Sequence, residues 1–194
     1  MPEWLARKRR WARQIALSVR VLGGGFWTSD GIPNSGVTDG TTMSGLGVRI
    51  LKGMHHNYAF EAEFLGARTG EAEFPGSDWQ GLSGDIFRQA TIGRLQASGV
   101  VRFGDRYVTS VRLGVGIQGT SYRSRFTSGG QGMTGPGDGV EIDGGWSVGA
   151  AFDARLGEHW LLGAGASGVF YTGARSLDVA LQVGYRWDSG ASTL

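Results

Sequence analysis

The chain has no cysteine among its 194 residues, which excludes a disulfide framework and any thiolate metal site. It has no run approaching the ~18 apolar residues of a transmembrane helix, so a helical membrane protein is excluded. Membrane barrel strands need only about 9–11 residues each, and that class stays open. The 36 glycines lack the strict triplet period of collagen and are separated by apolar segments. Charge of one sign is also missing: the formal net charge is +2. Arg7, Lys8, Arg9, Arg10 and Arg13 cluster near the start with only Glu3 against them, and without these 14 of the 19 basic and 16 of the 17 acidic side chains remain. The basic character is local, and nucleic-acid binding by the body of the protein is not expected. The opening also lacks the 7–15-residue apolar core of a signal peptide, because Ser18 and Arg20 interrupt 15–22.

A two-residue rhythm is present instead, and it returns about eight times. In 107–119, Tyr107, Thr109, Val111, Leu113, Val115 and Ile117 alternate with Ser110, Arg112, Gly114, Gly116 and Gln118. Leu177, Val179, Leu181, Val183, Tyr185 and Trp187 alternate with Asp178, Ala180, Gln182, Gly184 and Arg186. Period two is the β-strand period. The small, sparsely charged face is a poor water-facing surface, so the bulky face is expected to point outward into lipid. A soluble eight-stranded barrel would have to crowd all those apolar side chains into an interior barely wide enough for them.

Eight strands are predicted, over about 13–27, 43–51, from Tyr58, 87–103, 107–119, 140–156, from about Trp160, and to Trp187. Their connections run long, short, long, short, long, short, short. Alternate connections of an antiparallel meander share an end, so the long loops 28–42, 67–86 and 123–138 lie together. Outer-membrane barrels have that asymmetry. With this register, outward Tyr58, Phe103, Tyr107, Trp160, Tyr185 and Trp187 fall near the short-turn rim, and Trp27, Phe87, Trp146 and Phe170 near the other. Two interfacial aromatic girdles are expected at such positions.

The chain therefore resembles the small eight-stranded outer-membrane barrels of the OmpX and OmpA transmembrane-domain type, over about residues 13–187. Its last strand ends on Trp187, preceded at intervals of two by Tyr185, Val183 and Leu181, similar to the C-terminal assembly signal of that family. Asp188–Leu194 continue beyond it, a departure from the pattern. The resemblance implies an all-β, up-and-down transmembrane barrel in a bacterial outer membrane, in contact with lipid and lipopolysaccharide, without a cofactor and monomeric. Segments 1–12 and 188–194 flank the barrel, the first as an interfacial helix or a tail.

Twelve charged residues are expected to point inward: Arg20, Arg49, Glu61, Glu63, Arg94, Arg112, Glu141, Asp143, Asp153, Arg155, Asp178 and Arg186. A narrow lumen holds ions only if they are paired, and six of each sign predict a neutralising network, with Arg49 roughly opposite Glu61. A plugged lumen follows; a narrow pore is the alternative. Some barrels of this fold modify lipid A, and an outer-leaflet deacylase or acyltransferase is the enzymatic alternative. His55, His56 and His159 all fall at the short-turn end, away from such a site, so no catalytic residue is assigned. No metal site is assigned either. Function is expected in the long loops, where Phe74, Trp79, Phe126 and Met133 read as exposed.

Overall fold

A computed structural model describes residues 14–28, 39–55, 57–135 and 138–188. Segment 1–12 and residues 29–38 of the first long loop lie outside the described residues, as do 189–194 beyond Asp188. Ten strands are formed: β1 (Gln14–Thr28), β2 (Asp39–His55), β3 (Tyr58–Thr69), β4 (Ala72–Trp79), β5 (Leu82–Phe103), β6 (Tyr107–Ser128), β7 (Gln131–Thr134), β8 (Gly139–Leu156), β9 (Trp160–Tyr171) and β10 (Ala174–Asp188). All neighbours are antiparallel, and eight strands close a ring in the order β1-β2-β3-β5-β6-β8-β9-β10.

The register fixes the ring's geometry. Stepping between paired residues from Trp27 leads through Arg175, Phe170, Trp146, Val115, Ala97, Ala62 and Ile50 back to β1 at Leu17. The stagger is ten residues, from 27 to 17. Eight strands with that stagger tilt by about 35–45° and leave an interior that side chains alone can fill.

Alternation along each strand sorts side chains between two environments. The outer face carries Leu113, Val115, Ile117, Val179 and Leu181, each more than half exposed. An apolar band of this extent in water would far exceed the few hundred Å² of an ordinary surface patch. It fits lipid, where the closed ring also satisfies every strand's backbone groups. The inner face is layered. Leu22, Phe26, Met43, Leu65, Ile92 and Tyr122 belong to one apolar cluster toward the long-loop end. Ala16, Leu51, Ala59 and Val100 make a smaller one toward the short turns. Charged and amide side chains occupy the level between them.

The expected long loops 67–86 and 123–138 are corrected by the structure, because much of each is strand. β3 continues to Thr69, and β4 pairs with the start of β5 through a two-residue turn at Gln80–Gly81. β6 runs on to Ser128 and turns at Gly129–Gly130 into β7. Together β4-β5-β6-β7 form a four-stranded sheet that extends beyond the other strands. Gly81, Gly129 and Gly130 have positive φ, as does Gln80, the conformation that two-residue hairpin turns require. Phe74 and Phe126, expected to be exposed, are buried against Ile86 in a small core with Trp79 at its edge. Met133 is 36% exposed.

Candidate functional site

The inward faces of β1, β2, β3, β6 and β8 meet at mid-lumen. Arg20 pairs with Glu63. Glu61, 2% exposed, accepts from two arginines: Arg112 Nη1 at 3.1 Å and Arg49 Nη1 at 3.4 Å. The second guanidinium nitrogen of Arg49 lies 3.7 Å from Asp153, which also accepts a hydrogen bond from Gln182. Three arginines thus face three carboxylates, a balance that a low-dielectric interior demands of buried ions. Backbone register sets Arg49 opposite Glu63, not Glu61; its long side chain reaches Glu61 diagonally.

One level nearer the long loops, Arg94 makes a second cluster. Nη1 donates to Asp178 at 2.6 Å, Nη2 to Ser176 at 2.9 Å, and Nε and Nη2 share Gln118 at 3.1 and 3.0 Å. Gln118 passes a hydrogen bond to Thr120, and Tyr171 accepts one from Gln96. A planar guanidinium with five donors suits this many-partner role better than an ammonium group.

These two clusters gather eight of the twelve predicted inward charges. The other four lie half-buried nearer the ends. Glu141 and Asp143 act on Tyr122 at the long-loop mouth, while Arg186 donates Nε to the Glu158 carbonyl at 2.8 Å and Arg155 lies beside it at the short-turn end. Arg88 and Arg102, 7% and 6% exposed, are inward arginines that the sequence reading omits. Arg88 stacks over the Tyr122 ring at 3.9 Å. Both have the same parity as Arg94 on β5, so continuing that strand's alternation in each direction finds them.

Of the predicted girdle, Tyr58, Phe103, Tyr107 and Trp160 are more than half exposed near the short turns, with Tyr185 and Trp187 beside them. Near the long loops Trp146 stacks on Phe170 at 4.4 Å, and Trp27 is exposed. Phe87 sits elsewhere. It pairs with Arg125, ten residues further along β6 than Val115, the partner of Trp146, which places it on the projecting sheet.

No protein-family model matches the sequence, and no curated protein matches it. Solved structures do. Ail, the attachment invasion locus protein of Yersinia pestis, has a TM-score of 0.55 at 14% identity, with 90% of this chain and 98% of that chain covered, in a complex with the heparin analogue sucrose octasulfate. The outer membrane protein OprG from Pseudomonas aeruginosa has a TM-score of 0.56 at 11% identity, covering 92% and 98%. The chain has the fold of the small eight-stranded outer-membrane β-barrels. Neisserial surface protein A shares it, with a TM-score of 0.50 at 11% identity over 90% of this chain and 96% of that one.

In this barrel His159 has a structural place: its Nδ1 lies 3.1 Å from the Arg186 carbonyl, and its ring stacks on Tyr185. His56 and the side chain of His55 lie outside the described residues. Among the described residues no three His, Asp or Glu side chains are grouped to hold a metal.

The small residues of the inner face make room for the ion pairs. A Cβ on Gly149 would stand 2.7 Å from Arg112 Nε and 2.8 Å from the Ala166 carbonyl oxygen. Gly149→Val should therefore push Arg112 away from Glu61 and destabilise the barrel by about 1–3 kcal/mol, the usual cost of overpacking. Urea unfolding in phospholipid vesicles would measure it. Unchanged stability would mean that Arg112 does not need this space.

Proposed function

We propose that this chain is a monomeric bacterial outer-membrane barrel with a plugged lumen, and that it acts by binding at the cell surface through its long-loop end. The projecting sheet carries this reading. A loop that only joined two membrane strands would not need its own core, whereas Phe74, Ile86 and Phe126 pack β4, β5 and β6 together beyond the rim, with β7 paired to β6 at the edge. Rigid display of exposed side chains lowers the ordering cost of binding. Leu82 and Met133 are exposed large apolar groups there, and Arg125 pairs with Glu71 at the surface. The likeness to Ail, solved with a heparin analogue, makes a host-surface component, with sulfated glycans first, the partner to test. Membrane lipid and lipopolysaccharide surround the barrel in this reading.

Shortening the β4–β5 hairpin by replacing 74–84 with a brief Gly-Ser turn should leave the ring folded, because β3–β5 pairing ends at Arg68–Thr91. Bacteria displaying the full chain should attach to heparin-coated surfaces or host cells several-fold better than bacteria displaying the shortened one. Equal attachment by both, with equal surface display, would defeat the surface-binding reading.

The plugged lumen is supported by the paired charges that cross it at two levels. Planar-bilayer recordings of the reconstituted protein should show no stable large conductance. Long-lived openings would favour the pore alternative. The lipid A enzyme alternative predicts modified lipid A on expression and loss of that change in His159→Ala.

A further inference from the structure

The outer face of the ring changes character from strand to strand where it nears the long-loop rim. A stagger of ten residues over eight strands shifts level positions by about one and a quarter residues per strand from the paired ones. With that shift applied, Trp27 on β1, Thr42 on β2, Arg68 on β3, Thr91 on β5 and Ile142 on β8 lie within about two residues of one height. All five point outward and are exposed.

Their chemistry differs around the ring. On β2, β3 and β5 the outward residue at this height is polar, and Arg68 donates Nη2 to Gln89 Oε1 at 2.6 Å. The next outward positions are Ser44, Gly66 and Gly93, and a Cβ on either glycine would meet nothing within 4 Å. Large apolar groups begin only at Leu46, Phe64 and Leu95, four residues deeper on each strand. On β8, across the ring from β2, Ile142 is 78% exposed and Val140 above it is 71% exposed. Their β6 partners, Gly119 and Ser121, are too small to cover them. The apolar edge thus stands about six residues higher along β8, roughly 15 Å at the usual strand rise and tilt. The short-turn rim is level by comparison. Tyr58, Phe103, Tyr107, Trp160, Tyr185 and Trp187 fall within about two residues of one height there.

Val140 and Ile142 continue the face that Trp146, Val148 and Phe152 present to lipid on the same strand, with only Gly144 between. No charge or hydroxyl marks a boundary there, whereas Arg68 and Thr91 mark one on β3 and β5. An apolar surface continuous with the membrane band is covered by what covers the band. We infer that outer-leaflet lipid reaches Ile142 and Val140 along β8 and stops below Thr42, Arg68 and Thr91 along β2, β3 and β5. The lipid boundary of this barrel is therefore sloped. Because the short-turn rim is level, the outer leaflet takes up the difference, a mismatch that bilayers absorb by local thickening and thinning. Arg68 then stands among headgroups, where a guanidinium can donate to lipid phosphate. The slope rests on the barrel lying in a membrane and is independent of the surface-binding reading.

The chain has no cysteine, so nitroxide labels can be placed one at a time. The full chain is refolded into phosphatidylcholine vesicles with a label at Ile142→Cys, Thr42→Cys or Thr91→Cys. Leu113→Cys and Gln131→Cys serve as lipid and water references. Collisions with dissolved oxygen and with a water-soluble nickel chelate report depth. The label at 142 should resemble that at 113, meeting oxygen and excluding nickel. Labels at 42 and 91 should resemble that at 131, with several-fold more nickel contact than at 142. Equal nickel contact at 142 and 91 overturns the inference. A label at 142 that meets neither probe also overturns it, because protein and not lipid would then cover the site. Nickel contact at 113 removes the membrane reading itself, which separates that failure from a failure of the slope alone. If a labelled variant does not insert, urea unfolding of Ile142→Arg and Thr91→Arg in the same vesicles decides. The folding equilibrium constant should fall about tenfold or more for Ile142→Arg and no more than about threefold for Thr91→Arg. Equal losses overturn the inference.

Discussion

Replacing Glu61 by alanine should destabilise the barrel by about 3–5 kcal/mol, the cost of removing one partner from a buried ion pair. The loss is at the high end of single substitutions because Glu61 serves two buried arginines at once. Arg112 would lose Glu61, its ion-pair partner, and Arg49 would keep Asp153 at 3.7 Å. Two guanidinium groups would then face each other across a lumen from which water is largely excluded. Glu61→Gln keeps one acceptor oxygen and loses the other, since Arg112 bonds Oε1 and Arg49 bonds Oε2, and it should cost less than alanine because one of the two contacts remains. Equilibrium unfolding in vesicles measures both. A loss under about 1 kcal/mol for the alanine variant would show that the lumen is wet enough to solvate these ions, and the plug reading would fall with it.

Leu113→Arg should cost about 2–4 kcal/mol in a bilayer, since an outward charge inside the apolar band has neither water nor a partner. Leu113 is 65% exposed and lies within the membrane part of β6, between Tyr107 at one rim and Val115, the partner of Trp146, at the other. The same change at Tyr107 should cost about 0–1 kcal/mol, because arginine there reaches the interface. Unfolding of both variants in vesicles gives the depth profile. Equal losses at the two positions would place the surrounding medium, and so the membrane, in doubt.

The ring was legible in the sequence because lipid and lumen impose opposite demands on neighbouring residues. β6 and β10 show this plainly: Leu113 and Leu181 face out, while Arg112 and Gln182 face in. Parity alone therefore placed Arg20, Glu63 and Arg94 on the inner face. Pairing was less legible, because register decides which residues are adjacent and side-chain length decides which of them meet. Arg49 illustrates it, standing across from Glu63 yet bonding Glu61.

The projecting sheet was missed for a compositional reason. Above the membrane the outer face of a strand meets water and no longer lipid, so period-two contrast fades, and Gly, Ser and Asp give 67–86 and 123–138 the look of loops. A local signal was nevertheless there. Gly129–Gly130 is a two-residue hairpin signature, and Gln80–Gly81 is a weaker version of it. Read with Phe74, Ile86 and Phe126, those turns extend β5 and β6 and add β4 and β7.

The pairing of β1 with β10 joins residues 14–28 to 174–188, the two ends of the described chain. The ring contacts among β1, β2, β3, β5, β6, β8 and β9 need no β10, but closure does, because β10 supplies both its pairing with β9 and its pairing with β1. Until β10 arrives, β1 and β9 both present rows of unpaired amides and carbonyls, and in hydrocarbon each such group costs several kcal/mol. The bilayer thus acts as an inspector of completeness. A chain that stops before residue 174 retains most of its apolar surface and still has no stable place in the membrane.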